Sequence, residues 1–228
     1  MLLLVTDTSG KQGSVALVRA GEGYGANGVQ VIEDAPLAGG TFSAQLVPQI
    51  AALLAKHGFR KTDIDAFIVV SGPGSFTGLR VGLAAIKALA EILHKPIVPV
   101  SLLEVIALAS RRAGKVVAAL DAGRGEVYAG EYEITAKSAK VPQELLLTKA
   151  EFLSQANGSV VATTVASLAE ASRLAGIPVD MIDVITAEKI AILGWKKLQA
   201  GETVTPEGLE ANYIRRTDAE IFAKPGSS

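Results

Sequence analysis

Cysteine is absent from this chain of 228 residues, which removes disulfides, thiol catalysis and thiolate metal sites while leaving the cellular compartment open. Histidine is nearly absent. The two present, His57 and His94, fall at the expected ends of helices, where a cation suits the helix dipole. No His-x-x-x-His pair exists to hold a metal, and neither histidine sits in a constellation with Ser75 and an acid, so no catalytic or metal-ligating set is expected. Net charge is lacking as well: at −1, with a pI near 6.2, the chain has no general attraction for phosphate backbones. The basic pairs Arg111-Arg112 and Arg215-Arg216 are too few for a nucleic-acid footprint. The opening run Met1-Leu2-Leu3-Leu4-Val5-Thr6-Asp7 has no basic flank and soon meets an acid, unlike a signal peptide, and no apolar stretch approaches bilayer length. A soluble, cytoplasmic protein with no membrane contact is expected.

Apolar side chains, in contrast, make up 49% of the residues, enough at this length for one large or two small cores. They are laid out twice in one pattern. Leu2 to Val5 reads as a strand, Asp7 to Gly13 as a turn and Ser14 to Val18 as a second strand; Val116 to Leu120, Asp121, Gly125 and Glu126 to Tyr132 repeat the sequence of events. This points to a duplicated unit. Asp7 and Asp121 are then either turn-forming residues or acids facing a ligand. Helical spacing predicts a helix over Ser43 to His57, with Leu46, Ile50 and Leu53 on its apolar stripe, Pro48 in its early turns and Gly58 as its stop. A second helix is predicted from Thr77 to about Leu93, and a third from Thr186 to Ala200. In the helix from Thr77, the residues Arg80, Lys87 and Glu91 form one narrow polar stripe, with Val81, Ala85, Ala88 and Ile92 on one side and Leu79, Leu83, Ile86, Leu89 and Leu93 on the other. More than half the circumference is apolar. A helix covering a sheet needs only about a 100° stripe, so the surplus must meet a neighbouring helix or another chain, and the small residues Ala84, Ala85 and Ala88 permit close approach.

The stretch from Ser71 to Gly82, SGPGSFTGLRVG, joins the apolar strand Phe67 to Val70 to that helix. Its glycines fix unusual backbone angles and leave bare backbone that another chain or an anion can approach. It carries no known phosphate-binding spacing: no lysine follows Gly78 as in a P-loop, Gly72, Gly74 and Gly78 are one residue too widely spaced for a dinucleotide fingerprint, and Ser75 stands one step early for a nucleophile elbow.

Taken together with Asp7-Thr8-Ser9, with the segment Asp121-Ala122-Gly123-Arg124-Gly125-Glu126-Val127-Tyr128 and with Asn212-Tyr213-Ile214-Arg215, this stretch resembles the TsaB (YeaZ) family of tRNA threonylcarbamoyladenosine biosynthesis subunits. One departure stands out. The family usually reads Asp-Ala-Arg where this chain has Asp121-Ala122-Gly123, and the arginine comes one residue later. The resemblance implies an α/β protein of the actin-like ATPase (ribonuclease H-like) fold, with a lobe over 1–103 and a related, reduced lobe over 104–228. It implies a non-catalytic subunit with no cofactor of its own, ATP being engaged only through the assembled complex. Partners would be a TsaD-like actin-fold catalytic subunit, a TsaE-like accessory ATPase and, indirectly, tRNA, with a homodimer when alone. The partner interface is expected at Leu46, Ile50, Leu53, Arg80, Val81, Ala84, Ala85, Ala88 and Ile92, and vestigial nucleotide-facing loops at Asp7, Ser9, Gly72, Gly74, Ser75, Asp121 and Arg124. Two rivals stand beside this reading: an actin-fold phosphotransferase acting alone with ATP and magnesium at the two aspartates, and a metal-dependent glycoprotease, which the missing histidine pair opposes.

Overall fold

The computed structural model describes residues 1–38, 40–110, 112–135, 139, 140, 143–212 and 214; Arg111, Pro142, Tyr213, Arg215 and Arg216 lie outside the described residues. Two mixed sheets carry the fold. The first is built from β1 (Leu2–Asp7), β2 (Gln12–Ala20), β3 (Val29–Ala38), β4 (Ala66–Gly72) and β5 (Ile97–Ser101) in the order β3-β2-β1-β4-β5. Helix α1 (Phe42–Lys56) joins β3 to β4, and α2 (Phe76–Leu93) joins β4 to β5. The central strand β1 is antiparallel to β2, with Leu4 opposite Leu17, and parallel to β4, with Leu4 opposite Phe67.

After α3 (Leu102–Ala109) the plan repeats with β6 (Gly114–Gly123), β7 (Glu126–Ile134), β8 (Ala139–Lys140), β9 (Glu144–Thr148), α4 (Lys149–Gln155), β10 (Val160–Thr163), α5 (Ala166–Leu174), β11 (Val179–Met181) and α6 (Ala187–Gln199). Here β6 is central. It is antiparallel to β7, with Ala118 opposite Gly130, and parallel to β10, with Ala118 opposite Ala162; β11 lies outside β10, and β8 and β9 both pair with β7. Strand for strand the second sheet copies the first, as the doubled Asp turn led us to expect.

The buried strands read as apolar runs because both faces of each sheet are covered. Helices α1 and α2 cover one face of the first sheet around Leu4, Leu17, Phe67 and Ile86, and α6 covers the other around Val5, Val18, Ile68 and Val98. On the second sheet α3 packs Leu103, Ile106 and Ala107 against Val116 and Ala118, while Phe152 and Leu168 of α4 and α5 cover the opposite face at Val117 and Val161. The closing helices are therefore exchanged between lobes: α3 follows the first sheet in sequence yet packs on the second, and α6 follows the second yet packs on the first. Gly194 makes the latter possible, since a Cβ there would stand 2.5 Å from Ile68 Cδ1. The chain beyond α6 stays with the first lobe. Val204 bridges to Ile97, and the Asn212 backbone N–H donates to Ser71 O at 2.8 Å. Among the described residues, no helix is long and apolar enough to cross a membrane.

Candidate functional site

The glycine-rich stretch is a seat for the first Asp turn. Ser75 caps α2, its Oγ accepting from Gly78 N at 3.3 Å, and Gly74, Gly78 and Gly82 follow one another at four-residue intervals. Each turns a bare face to the segment Thr8-Ser9: a Cβ would overlap Ser9 O at Gly74, Thr8 O at Gly78 and the Thr8 side chain at Gly82. Hydrogen bonds close the contact, from Ser75 N–H to Ser9 O at 2.7 Å and from Thr8 Oγ1 to Gly78 O at 2.8 Å. The expected visitors were another chain or an anion; the bare backbone instead receives the Thr8-Ser9 segment of its own chain. Gly72 is used differently: it is buried at a φ of 135°, and a Cβ there would lie 2.8 Å from Asn212 O.

Between the lobes lies a cleft of about 820 Å³, walled by Ser9, Lys11, Gly74 and Ser75 from the first lobe and by Asp121 and Tyr128 from the second. Both aspartates make Asx turns. Asp7 Oδ1 accepts from Ser9 N–H at 2.8 Å and Ser9 Oγ at 2.6 Å, and Asp121 Oδ1 accepts from Gly123 N–H at 2.9 Å. Their surroundings differ. Burial pushes the Asp7 carboxyl above its ordinary range against the pull of the Ser9 hydrogen bonds, with Asp34 adding a smaller push in the same direction. Asp121 is exposed, on a hairpin whose tip runs through positive φ at Gly123 (73°), Arg124 (57°) and Gly125 (79°). Gly123 enters that left-handed backbone without a steric cost, whereas Arg124 beside it adopts the same region with a side chain. Ser9, Gly74, Ser75 and Asp121 of the expected loops thus meet at the cleft; Asp7, Gly72 and Arg124 are not among its walls, whereas Lys11 and Phe42, which no motif marked, and Tyr128, the last residue of the second Asp segment, are.

The expected partner face needs a correction on α1. Leu46, Ile50 and Leu53 are 1, 4 and 2% exposed and belong to the core under the first sheet, because the single apolar stripe of α1 is used up there; its outward residues include Ala44, Val47, Pro48, Ala51 and Ala55. On α2 the faces are settled. Leu79, Leu83 and Ile86 point into the core, Val81 and Ala85 pack partly against it, and Ala84, Ala88 and Ile92 are exposed, Ile92 by 66%. Arg80 is exposed too, its guanidinium 3.7 Å above the Phe76 ring. The surplus apolar surface of α2 is in part met by α1 alongside it, and the remainder is open. The two histidines do stand at helix ends, His57 beside Glu33 at 2.7 Å and His94 as the left-handed cap of α2. No group of three metal-ligating side chains occurs among the described residues.

Two lobes of one strand order, enclosing a cleft flanked by paired aspartate turns, define the actin-like ATPase (ribonuclease H-like) class. A solved structure of the same fold, the activator of the 2-hydroxyisocaproyl-CoA dehydratase from Clostridium difficile with bound ADPNP, superposes with a TM-score of 0.50 at 11% identity over 89% of this chain and 97% of that one. YeaZ from Pseudomonas aeruginosa superposes with a TM-score of 0.70 at 27% identity, over 92% of this chain and 100% of that chain. The family described as TsaD, tRNA N6-adenosine threonylcarbamoyltransferase, matches residues 36–222. By sequence the chain is similar to the tRNA threonylcarbamoyladenosine biosynthesis protein TsaB of Haemophilus influenzae, 38% identical over 56% of this chain and 52% of that protein. It is likewise similar to TsaB of Bacillus subtilis, 32% identical over 58% of this chain and 56% of that protein. The chain spans about half the length of these curated relatives. It belongs to the family described as TsaD, tRNA N6-adenosine threonylcarbamoyltransferase, and within that family it is similar to the TsaB (YeaZ) proteins.

Proposed function

We propose that this chain is the non-catalytic subunit of a tRNA threonylcarbamoyladenosine modification complex, binding and activating a TsaD-like actin-fold catalytic subunit. The observation that carries the reading is the open face of α2: Ala84, Ala88 and Ile92 stand exposed on a lobe whose own core is already closed by Leu83 and Ile86. Small apolar residues on a long helix let a second helix approach closely, and a patch of this kind seldom stays uncovered. The names borne by the relatives from Haemophilus influenzae and Bacillus subtilis support the pathway. In this reading the chemistry belongs to the partner, ATP enters only through the assembled complex with a TsaE-like ATPase, tRNA is met indirectly, and the chain works in the cytoplasm. Without the partner, the same face closes on a second copy.

The loop seat agrees with this division of labour, since Ser75 N–H and Gly78 N–H, the donors a phosphate cradle would use, are taken by Ser9 O and Ser75 Oγ. The test is two-protein gel filtration with the TsaD-like subunit of the same cell. Ala88→Glu is expected to melt like the parent and to elute apart from the partner. An Ala88→Glu chain that co-elutes unchanged would overturn the interface, and ATP turnover by the isolated chain, lost on Asp7→Ala, would favour the phosphotransferase instead.

A further inference from the structure

Glu144, at the start of β9, was marked by no motif, yet it is the point at which three separated parts of the chain converge. Its Oε1 accepts from the Ser101 hydroxyl and from the Tyr132 hydroxyl at 2.6 Å, and its Oε2 accepts from Asn212 Nδ2 at 2.5 Å. The donors come from different bodies. Ser101 ends β5 in the first lobe and caps α3, its Oγ also accepting from Glu104 N–H at 3.4 Å. Asn212 lies in the segment that returns to the first lobe and is pinned there through Ser71 O. Tyr132, fully buried on β7, belongs to the same lobe as Glu144. Burial, with the Glu144 carboxylate beside it, holds the Tyr132 phenol far above its ordinary range, so it stays a donor.

Elsewhere the lobes meet through the apolar flanks of α3 and α6, and Lys197 Nζ ties those helices to each other at Glu104 Oε2, 2.8 Å away. Packed helices of this kind shift past one another by small sliding steps. A carboxylate that receives charge-assisted hydrogen bonds from two places on the opposite lobe does not slide; it is made or broken.

We propose that Glu144 is an interlobe latch: while it holds Ser101 and Asn212 the cleft keeps one opening, and its release frees the cap of α3, the helix through which the chain passes from one lobe to the other. The same release loosens Asn212 from behind Gly72, so the opening of the cleft and the seat of the glycine-rich loop change together. This inference does not depend on the functional reading above.

The absence of cysteine makes the test direct. Ala55→Cys on α1 and Ser154→Cys on α4, both exposed, supply the sole thiols for paired nitroxide labels, and dilution with unlabelled chain restricts electron–electron distances to single molecules. The parent is expected to give one narrow distance distribution, and Glu144→Gln and Ser101→Ala a broader one with longer distances. Amide exchange at Leu103 and Glu104 is expected to quicken about tenfold in both variants, the effect of losing one hydrogen bond to a charged group. If Glu144→Gln does not fold, Ser101→Ala carries the test alone. A distribution that stays narrow in Ser101→Ala overturns the latch.

Discussion

The first lobe joins β3 to β4 through a helix of 15 residues and β4 to β5 through one of 18; the second makes the same two connections with helices of 7 and 9. A helix that only covers a sheet needs one apolar stripe, and the short pair does so with Phe152 and Leu168, leaving one large apolar side chain in the open, Leu174 at the very end of α5. The long pair does it with Leu46, Ile50, Leu83 and Ile86 and still has an outer face, where Val47 and Ile92 stand in the open. The Asp turns diverge in parallel. The turn after Asp7 is held at Thr8 and Ser9 by Gly74, just ahead of α2, and by Gly78 and Gly82 within it, whereas Asp121 stands on an exposed hairpin. Duplication supplied two copies of one plan, and the copies were spent differently: the first is built for contact and the second for support.

The hardest break in this comparison is Ile86→Glu, which puts an unpaired carboxylate at a site with no exposure and is expected to cost several kcal/mol, enough to unfold a domain of ordinary stability. Circular dichroism should show no cooperative melt. Next come the seat glycines. Gly82→Ala drives a methyl into Thr8 and is expected to cost about 2–4 kcal/mol despite the better helix propensity of alanine, whereas Gly158→Ala in the second lobe, where nothing lies within reach, should cost only about 1 kcal/mol for its positive φ. Urea unfolding of both would decide, and equal costs would erase the asymmetry between lobes.

A smaller effect separates the two aspartates. Because the folded carboxyl of Asp7 lies above its unfolded value, the folded state binds its proton more tightly; that stabilisation is full below the unfolded carboxylate range and is lost as pH rises through the folded value. Asp7→Asn keeps the acceptor for Ser9 and removes the penalty, so it should gain stability over the parent at pH 7 and lose that advantage toward pH 4. Asp121→Asn, at an exposed site, should change stability by no more than about 0.5 kcal/mol at either pH. Smallest of all in stability is Ala88→Glu, expected to melt with the parent while losing its partner on gel filtration.

The parts of the fold that were legible in the sequence are those where one physical signal acts alone. An apolar run ended by Asp and followed by Gly gives the hairpins at Asp7 and Asp121, and a clean 3.6-residue period gives α2 to within a residue. Where two signals overlap, the reading fails. Ile97 to Ala109 is apolar except for the cap Ser101 and Glu104, and no turn residue separates its halves, so β5 and α3 merge in the sequence. Strand β3 lies at a sheet edge opposite the register shift at Leu17 and Val18, and its burial alternates over Asp34 to Ala38 but not through Val31 to Glu33, so the period-2 signal is broken in mid-strand. Leu46, Ile50 and Leu53 were assigned outward because a lone apolar stripe does not declare whether sheet or partner will take it. Glu144 was invisible for a different reason: its three donors lie 43, 12 and 68 residues away, and no local pattern encodes their meeting.

The exchange of closing helices also sets an order on synthesis. The strands of the first sheet are complete at Ser101, but the face carrying Val5, Val18, Ile68 and Val98 has only the edge of α3, at Val105, against it until α6 has been made, nearly a hundred residues later. Domains generally fold as units as the chain emerges, and transiently exposed apolar surface invites aggregation. On the ribosome the first half of this protein must therefore wait, half-dressed, for a helix encoded close to the end of its message, and a nascent chain stalled before Ala187 would present that bare face to whatever chaperone reaches it first.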